Sequence, residues 1–121
     1  LIVMQERLIQ IATQACKHHA IRHPEDAEMF RLVTDNAEAM KNLSLAEMHE
    51  QWHANRFLLQ HGVNVEKMWE NTVTGSLMDT VVHPATAYIA LTQYKQTKNR
   101  ALLQQVNQEL TESIYHVSQI P

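Results

Sequence analysis

Residues 44–53 read SLAEMHEQWH and contain the clearest helix start in the chain. Ser44 followed three residues later by Glu47 is a capping box, in which each side chain bonds a free backbone N–H of the other residue. Apolar side chains then recur at helical spacing, and the positions expected to face the core are Leu45, Met48, Trp52 and Leu59. His61-Gly62 indicates the end of this helix, because glycine readily takes the left-handed cap conformation.

The same periodicity extends toward the amino terminus. A first helix is expected to end near Arg22, before His23-Pro24, since proline restricts the residue that precedes it. Its predicted inward stripe is Leu1, Met4, Leu8, Ile11, Ala12, Ala15 and His19. A second helix is expected to open at Pro24, with the stripe Ala27, Phe30, Val33, Ala37 and Met40. The first 40 residues therefore predict two packed helices.

Further helices are predicted toward the carboxyl terminus. Asn64 can cap a fourth helix, which we expect to be interrupted at residues 74–76, and His83-Pro84 indicates a boundary before a fifth. The cleanest amphipathic pattern is the last, with the stripe Leu103, Val106, Leu110, Ile114 and Val117. The prediction is an all-α fold, with residues 1–121 forming one domain, an antiparallel bundle of five or six helices.

Composition narrows the classes of function. Of the 121 residues, 45% are apolar and 19% are charged, which is an ordinary globular balance. The formal net charge of -3 argues against nucleic-acid binding by this domain alone. Cys16 is the single cysteine, so an internal disulfide is excluded and a cytoplasmic location is expected. The apolar runs are far shorter than the roughly 20 residues of a membrane span, so no membrane partner is expected.

His49-Glu50-Gln51-Trp52-His53 has the H-E-x-x-H spacing of zinc hydrolases. In such enzymes the two histidines bind zinc and the glutamate acts as general base. The chain offers no third ligand at a hydrolase spacing, and no strand pattern precedes the helix to align a substrate. We therefore expect no peptidase activity.

A metal site without hydrolysis is the more plausible interpretation of these histidines. Residues four apart lie on one face of a helix, so His49 and His53 can share an ion such as zinc or nickel. The third ligand must come from another helix; we rank His83 above the alternatives His19 and His116. Imidazole must be neutral to coordinate, so affinity is expected to fall as the pH drops through about 6.5. The alternative is that these are ordinary surface or hydrogen-bonded histidines.

Ala20-Ile21-Arg22-His23-Pro24-Glu25-Asp26, followed by a helix, Trp52-His53, Gly62 and Asn64, resembles the first half of the FCD effector-binding domain of GntR-type transcriptional regulators. The resemblance covers about residues 12–64. It implies a helical bundle that binds a small organic acid through a metal, held partly by an Asp-x-x-x-His helix. His49 would stand in the place of that aspartate and His53 in the place of that histidine.

A second pattern, Arg56-x4-His61, is similar to the catalytic pair of HEPN ribonuclease-like domains, which are also small and helical. We expect a non-enzymatic regulatory or binding domain, responsive to a metal or small ligand, and a homodimer. The dimer is inferred from Phe57 and Leu58, which give the third helix a second apolar side. The alternatives are a protein–protein adaptor without a small-molecule site and an RNA-directed HEPN-type domain with Arg56 and His61 as catalytic residues.

Overall fold

The computed structural model describes residues 2–120, and within that range it is all-α, as predicted, with no strand. Seven α-helices are joined by short links, with a 3-10 turn at Pro24–Asp26 and a π-helical segment at His49–His53. The helices are α1 Ile2–Arg22, α2 Ala27–Met40, α3 Leu45–Met48, α4 Arg56–Gln60, α5 Val65–Glu70, α6 Thr72–Thr97 and α7 Ala101–Ser118. None of them is both long enough and apolar enough to cross a membrane.

Helix α6 is the centre of the fold, and it packs against α1, α2 and α7. It is buried from Thr74 through Ala87 without interruption, which explains its lack of a one-sided apolar stripe. The predicted boundary at His83-Pro84 is therefore wrong, since Pro84 lies inside the helix. An internal proline costs about 3 kcal/mol, and packing on all sides of α6 offsets that cost. The chain instead breaks at Asn71, whose side chain caps α6 through the N–H of Val73.

The predicted third helix is divided into α3, the π-helical segment and α4. Asn55 takes a φ of 61°, a left-handed conformation that ends the π-helical segment and starts α4 at a new angle. This break changes which side chains face the core. Met48 and Trp52 are buried as predicted, but Leu59 is 58% exposed while its neighbour Leu58 is 0% exposed. Leu58 is therefore not at the surface, and it cannot be part of the dimer interface that the sequence predicts through Phe57 and Leu58.

The predicted stripes of α1 and α7 are displaced by about one residue. The residues of α1 that are buried are Gln5, Ile9, Ala12 and Cys16, and those of α7 are Val106, Glu109, Ser113 and His116. Ala12 and Val106 are buried as predicted. Six other apolar residues expected to face inward are instead exposed, namely Met4, Leu8, Ile11, Leu103, Ile114 and Val117. Leu1 of the predicted stripe lies outside the described residues. Helix α7 therefore directs mainly polar side chains inward, whereas α1 buries apolar ones together with the polar Gln5. Both helices leave apolar side chains at the surface.

The helix start signals at Ser44 and Asn64 and the stop signal at Gly62 are confirmed. Ser44 and Glu47 form both bonds of the capping box, and the side chain of Asn64 caps α5 through the N–H of Lys67. Gly62 has a φ of +83°, as expected for a left-handed helix stop. Gly75 has a different role, since a Cβ there would lie 2.3 Å from the Trp69 ring. Its missing side chain lets Trp69 pack directly on α6.

The break at Asn55 is tested by two adjacent leucines. Leu58→Ala should lower the free energy of unfolding by about 2–5 kcal/mol, because a buried leucine is lost and a cavity is left. Leu59→Ala, the matched control at an exposed position, should change it by less than about 0.5 kcal/mol. Urea denaturation of both variants measures the difference. Equal costs, or a larger cost at Leu59, would mean that the helix continues through Asn55.

Candidate metal centre

Five side chains that commonly bind metals meet between α6, α7 and the π-helical segment. We call them the His83 cluster, and its members are His53, Asp79, His83, Glu109 and His116. They form two groups, His53–His83–Glu109 and Asp79–His83–His116, and within each group the ligand atoms lie within 4.8 Å of one another. His83 belongs to both groups. Each group contains two histidines and one carboxylate, a donor set found in catalytic zinc and non-haem iron sites.

Hydrogen bonds fix the first group. Nδ1 of His83 lies 2.5 Å from Oε2 of Glu109, and the amide of Gln105 donates to the other carboxylate oxygen at 2.6 Å. Nε2 of His53 lies 2.9 Å from Oγ1 of Thr86, whose hydroxyl donates to the carbonyl of Val82. Because that hydroxyl proton is engaged, Thr86 accepts from Nε2–H of His53, and the neutral ring keeps its lone pair on Nδ1. Thr86 thus orients His53 as an outer partner orients a metal ligand.

The second group lies deeper. Nε2 of His116 is 3.0 Å from Oδ2 of Asp79, and Nδ1 of the same ring is 3.1 Å from Oγ of Ser76. Nε2 of His83 is 3.9 Å from the same Asp79 oxygen. The rings of His83 and His116 stack with their centroids 5.3 Å apart. All members of this group are buried, so their polar atoms find partners within the cluster and in Ser76.

Burial and neighbouring charges shift the pKa values of the ionisable side chains in the His83 cluster. Burial raises the pKa of Asp79 from 3.8 to about 6. Burial also lowers the pKa values of His53 and His116, which keeps both rings neutral near pH 7. Burial opposes the charged form of His83 too, but the hydrogen bond to Glu109 and the charge of Asp79 outweigh it and raise its pKa. Within residues 2–120 the ion-pair partners of Asp79 and Glu109 are all histidines, with no lysine or arginine among them.

A cleft of about 540 Å³ opens on the first group. Its walls include His53, His83 and Glu109 together with His49, Leu45, Ala46, Thr86, Gln105, Gln108 and Glu112. No lysine or arginine lines it. The first group is therefore reached from solvent through a polar cleft, while the second group lies behind His83.

The three histidines predicted as ligands have different positions. The structure brings His53 and His83 together, with ring centroids 5.1 Å apart. His49 is exposed and stacks on His53 at 6.0 Å, but it belongs to neither group of ligand atoms. Of the other candidates, His116 belongs to the cluster, whereas His19 stacks on His23 and lies 3.8 Å from Asp26.

The residues of the zinc hydrolase and HEPN ribonuclease hypotheses do not form a shared site. Glu50 forms an exposed ion pair with Arg56. Nδ1 of His61 bonds the carbonyl of Phe57, and the two rings stack. No contact joins Arg56 to His61 among the hydrogen bonds and ion pairs of the described residues. Cys16 is fully buried, and burial raises the pKa of its thiol to about 12, so it is not a ready nucleophile.

Sequence reasoning missed Asp79 and Glu109. The signal was present, because Asp79 and His83 are four residues apart on α6, and Glu109 and His116 are seven apart on α7. Each spacing places both side chains on one helix face. The Asp-x-x-x-His spacing that the FCD resemblance assigned to His49 and His53 thus exists elsewhere in the chain. Comparison with known proteins found no matching family model, no matching curated protein and no matching solved structure.

The raised pKa of Asp79 predicts a pH-dependent effect on the stability of chelator-treated protein. Its folded pKa exceeds its unfolded value, so the stability contributed by its proton is present below about pH 3.8 and is lost as the pH rises through about 6. Asp79→Asn removes this dependence. The free energy of unfolding of the variant relative to wild type should therefore rise by about 2 kcal/mol between about pH 4 and pH 7.

Asp35→Asn is the matched control, since Asp35 is exposed on α2 beside Arg31. Urea denaturation at a series of pH values measures both differences. A difference for Asp79→Asn that stays constant across this range would contradict the burial of an ionisable carboxyl at this position.

Proposed function

We propose that this chain is a non-enzymatic regulatory or binding domain that responds to a divalent transition metal, such as zinc or nickel, bound by His53, His83 and Glu109. Imidazole and carboxylate together suit such ions. The resemblance to the FCD effector-binding domain supports the same class of function. A cytoplasmic location stays a prediction from the single cysteine.

The convergence of these three ligand side chains is the observation that carries the proposal. His53 lies on the π-helical segment, His83 in the middle of α6 and Glu109 on α7, so three separate segments supply them. Buried charged groups are normally paired or bound to metals. Here two buried carboxylates have only histidines as ion-pair partners in the described part of the chain. A divalent cation supplies the charge that the cluster lacks.

The cleft beside the first group is the place we propose for a small organic ligand. Three protein ligands leave at least one coordination position of the metal open to an outside oxygen donor. The cleft of about 540 Å³ is within the size range of small-molecule sites. Since Glu109 and Glu112 line it and no lysine or arginine does, an anionic ligand would need the metal to bind there.

Thermal unfolding tests the metal site. In chelator-treated protein, zinc or nickel at about 100 times its Kd should stabilise wild type by about 2.7 kcal/mol, which is on the order of 10 °C in Tm for a domain of this size. His53→Ala and Glu109→Gln should abolish the shift. The matched controls are His18→Ala, an exposed histidine on α1, and His49→Ala, next to the site but outside the ligand group.

Each outcome has a clear meaning. No shift in wild type, or an equal shift in His53→Ala, would remove the metal site and leave the adaptor hypothesis. A shift lost in His49→Ala as fully as in His53→Ala would favour the sequence-predicted pair over the group seen in the structure. A shift kept in both controls and lost in both site variants supports the proposal.

We also propose that the chain forms a homodimer, through a different surface from the one inferred from sequence. Leu8, Ile11 and Val117 line an apolar groove between α1, α6 and α7, and Met4 and Ile114 lie one turn away on the same helices. Ile114 is 72% exposed. Apolar side chains that are contiguous at a surface commonly mark an interface.

Light scattering after gel filtration measures the mass in solution. Wild type should run as a dimer, and Ile11→Glu should run as a monomer, because a buried carboxylate would have no partner in the interface. Ile21→Glu is the matched control, an isoleucine on the same helix that is exposed outside the groove. A monomeric wild type, or dimers in both variants, would refute this surface.

A further inference from the structure

His83 is shared by both groups of the cluster, and its two ring nitrogens serve different sides. Nδ1 is 2.5 Å from Glu109, in the first group, while Nε2 is 3.9 Å from Asp79, in the second. The ring centroids of His53 and His116 lie 5.1 Å and 5.3 Å from that of His83, so it has a histidine neighbour in each group. The nitrogens of one imidazole project in different directions within the ring plane, so each can bind a different ion.

The second group has the supporting contacts expected of a metal site. His116 is held by Ser76, which bonds its Nδ1 at 3.1 Å. A hydroxyl both donates and accepts, so Ser76 can accept from Nδ1–H once Nε2 takes a metal. Such an outer hydrogen bond orients a ligating histidine and fixes its tautomer. Nε2 and the Asp79 oxygen, 3.0 Å apart, then face the same ion.

We propose that His83 bridges two divalent ions as an imidazolate, with the second ion bound by Asp79 and His116. This inference rests on the proposed function, because the first ion is the one at His53, His83 and Glu109. The second ion binds once the first is in place and replaces the remaining N–H proton of His83, and this proton is released to solvent. No bond other than N–H is broken and no electron is transferred.

Charge balance favours two ions over one. Two divalent ions carry four positive charges. Asp79, Glu109 and the nearby Glu112 carry three negative charges as carboxylates, and the imidazolate carries the fourth. With a single ion in the first group, Asp79 would remain a buried carboxylate whose partners are the neutral His116 and His83. A buried carboxylate without a full countercharge is costly, and the second ion removes that cost.

The stoichiometry of zinc binding to the full chain, measured by native mass spectrometry and by calorimetry, is the first test. Wild type should bind two ions. His116→Ala and Asp79→Asn should bind one, and His18→Ala should still bind two. Far-ultraviolet circular dichroism checks that each variant is folded. If the variants fail to fold, the wild-type stoichiometry and the copper experiment below decide the matter.

The bridge itself is tested with copper. Two Cu²⁺ ions joined by an imidazolate couple antiferromagnetically, so the low-temperature electron paramagnetic resonance signal should integrate to clearly fewer than two spins per chain. His116→Ala loaded with one Cu²⁺ should show one full spin.

The outcomes separate this inference from the proposed function. One zinc in wild type that is lost in His53→Ala overturns the bridge and keeps the proposed function. No binding overturns both. Two zinc ions that persist in both His116→Ala and Asp79→Asn place the second ion elsewhere and refute this site. Two copper ions with two full spins refute the bridge. Two ions, reduced to one in the variants and coupled in the copper form, support it.

Discussion

The hydrogen bond between His83 and Glu109 is the contact on which the arrangement of α6 and α7 depends. Glu109 is only 4% exposed, and a buried carboxylate must have partners. To keep them, α7 must turn the face that carries Glu109 and His116 toward α6. Ile114 then lies on the side of α7 away from α6, and Val117 lies at the edge of the groove between α1, α6 and α7, both exposed to solvent. The exposed apolar surface is thus a consequence of the polar interior.

The inward-facing polar side of α7 is a feature that the sequence does not predict. The all-α class, the capping box at Ser44, the cap at Asn64 and the stop at Gly62 are local signals, and each is confirmed. The orientation of α1 and α7 is not local. The amphipathic rule directs apolar residues inward, and it fails on α7, where Glu109 and His116 are buried and bonded to polar groups of α6. The regular polar spacing of Glu109, Ser113 and His116 was the available signal.

The region of the H-E-x-x-H pattern shows a second limit. The pattern predicts that His49 and His53 act together, provided that one regular helix carries them. The chain instead forms a π-helical segment there and then the left-handed break at Asn55. His53 reaches the cluster and His49 remains exposed beside it. Whether asparagine takes a left-handed conformation is decided by packing on both sides of it, and a spacing pattern contains no such information.

The sequence ranks His83 first as a third ligand because it stands at a predicted helix boundary, yet it lies in the middle of α6. Its position matters because α6 is the buried and therefore rigid element of the fold, while the π-helical segment is short and bounded by a break. A metal held by His53 and His83 would tie the less regular segment to the rigid one. Such a metal can regulate only if the protein populates an arrangement in which the segment is placed differently, since a ligand shifts an equilibrium by its difference in affinity for the two states. The three separate segments that supply His53, His83 and Glu109 give that difference a physical basis, because moving any one of them removes a ligand.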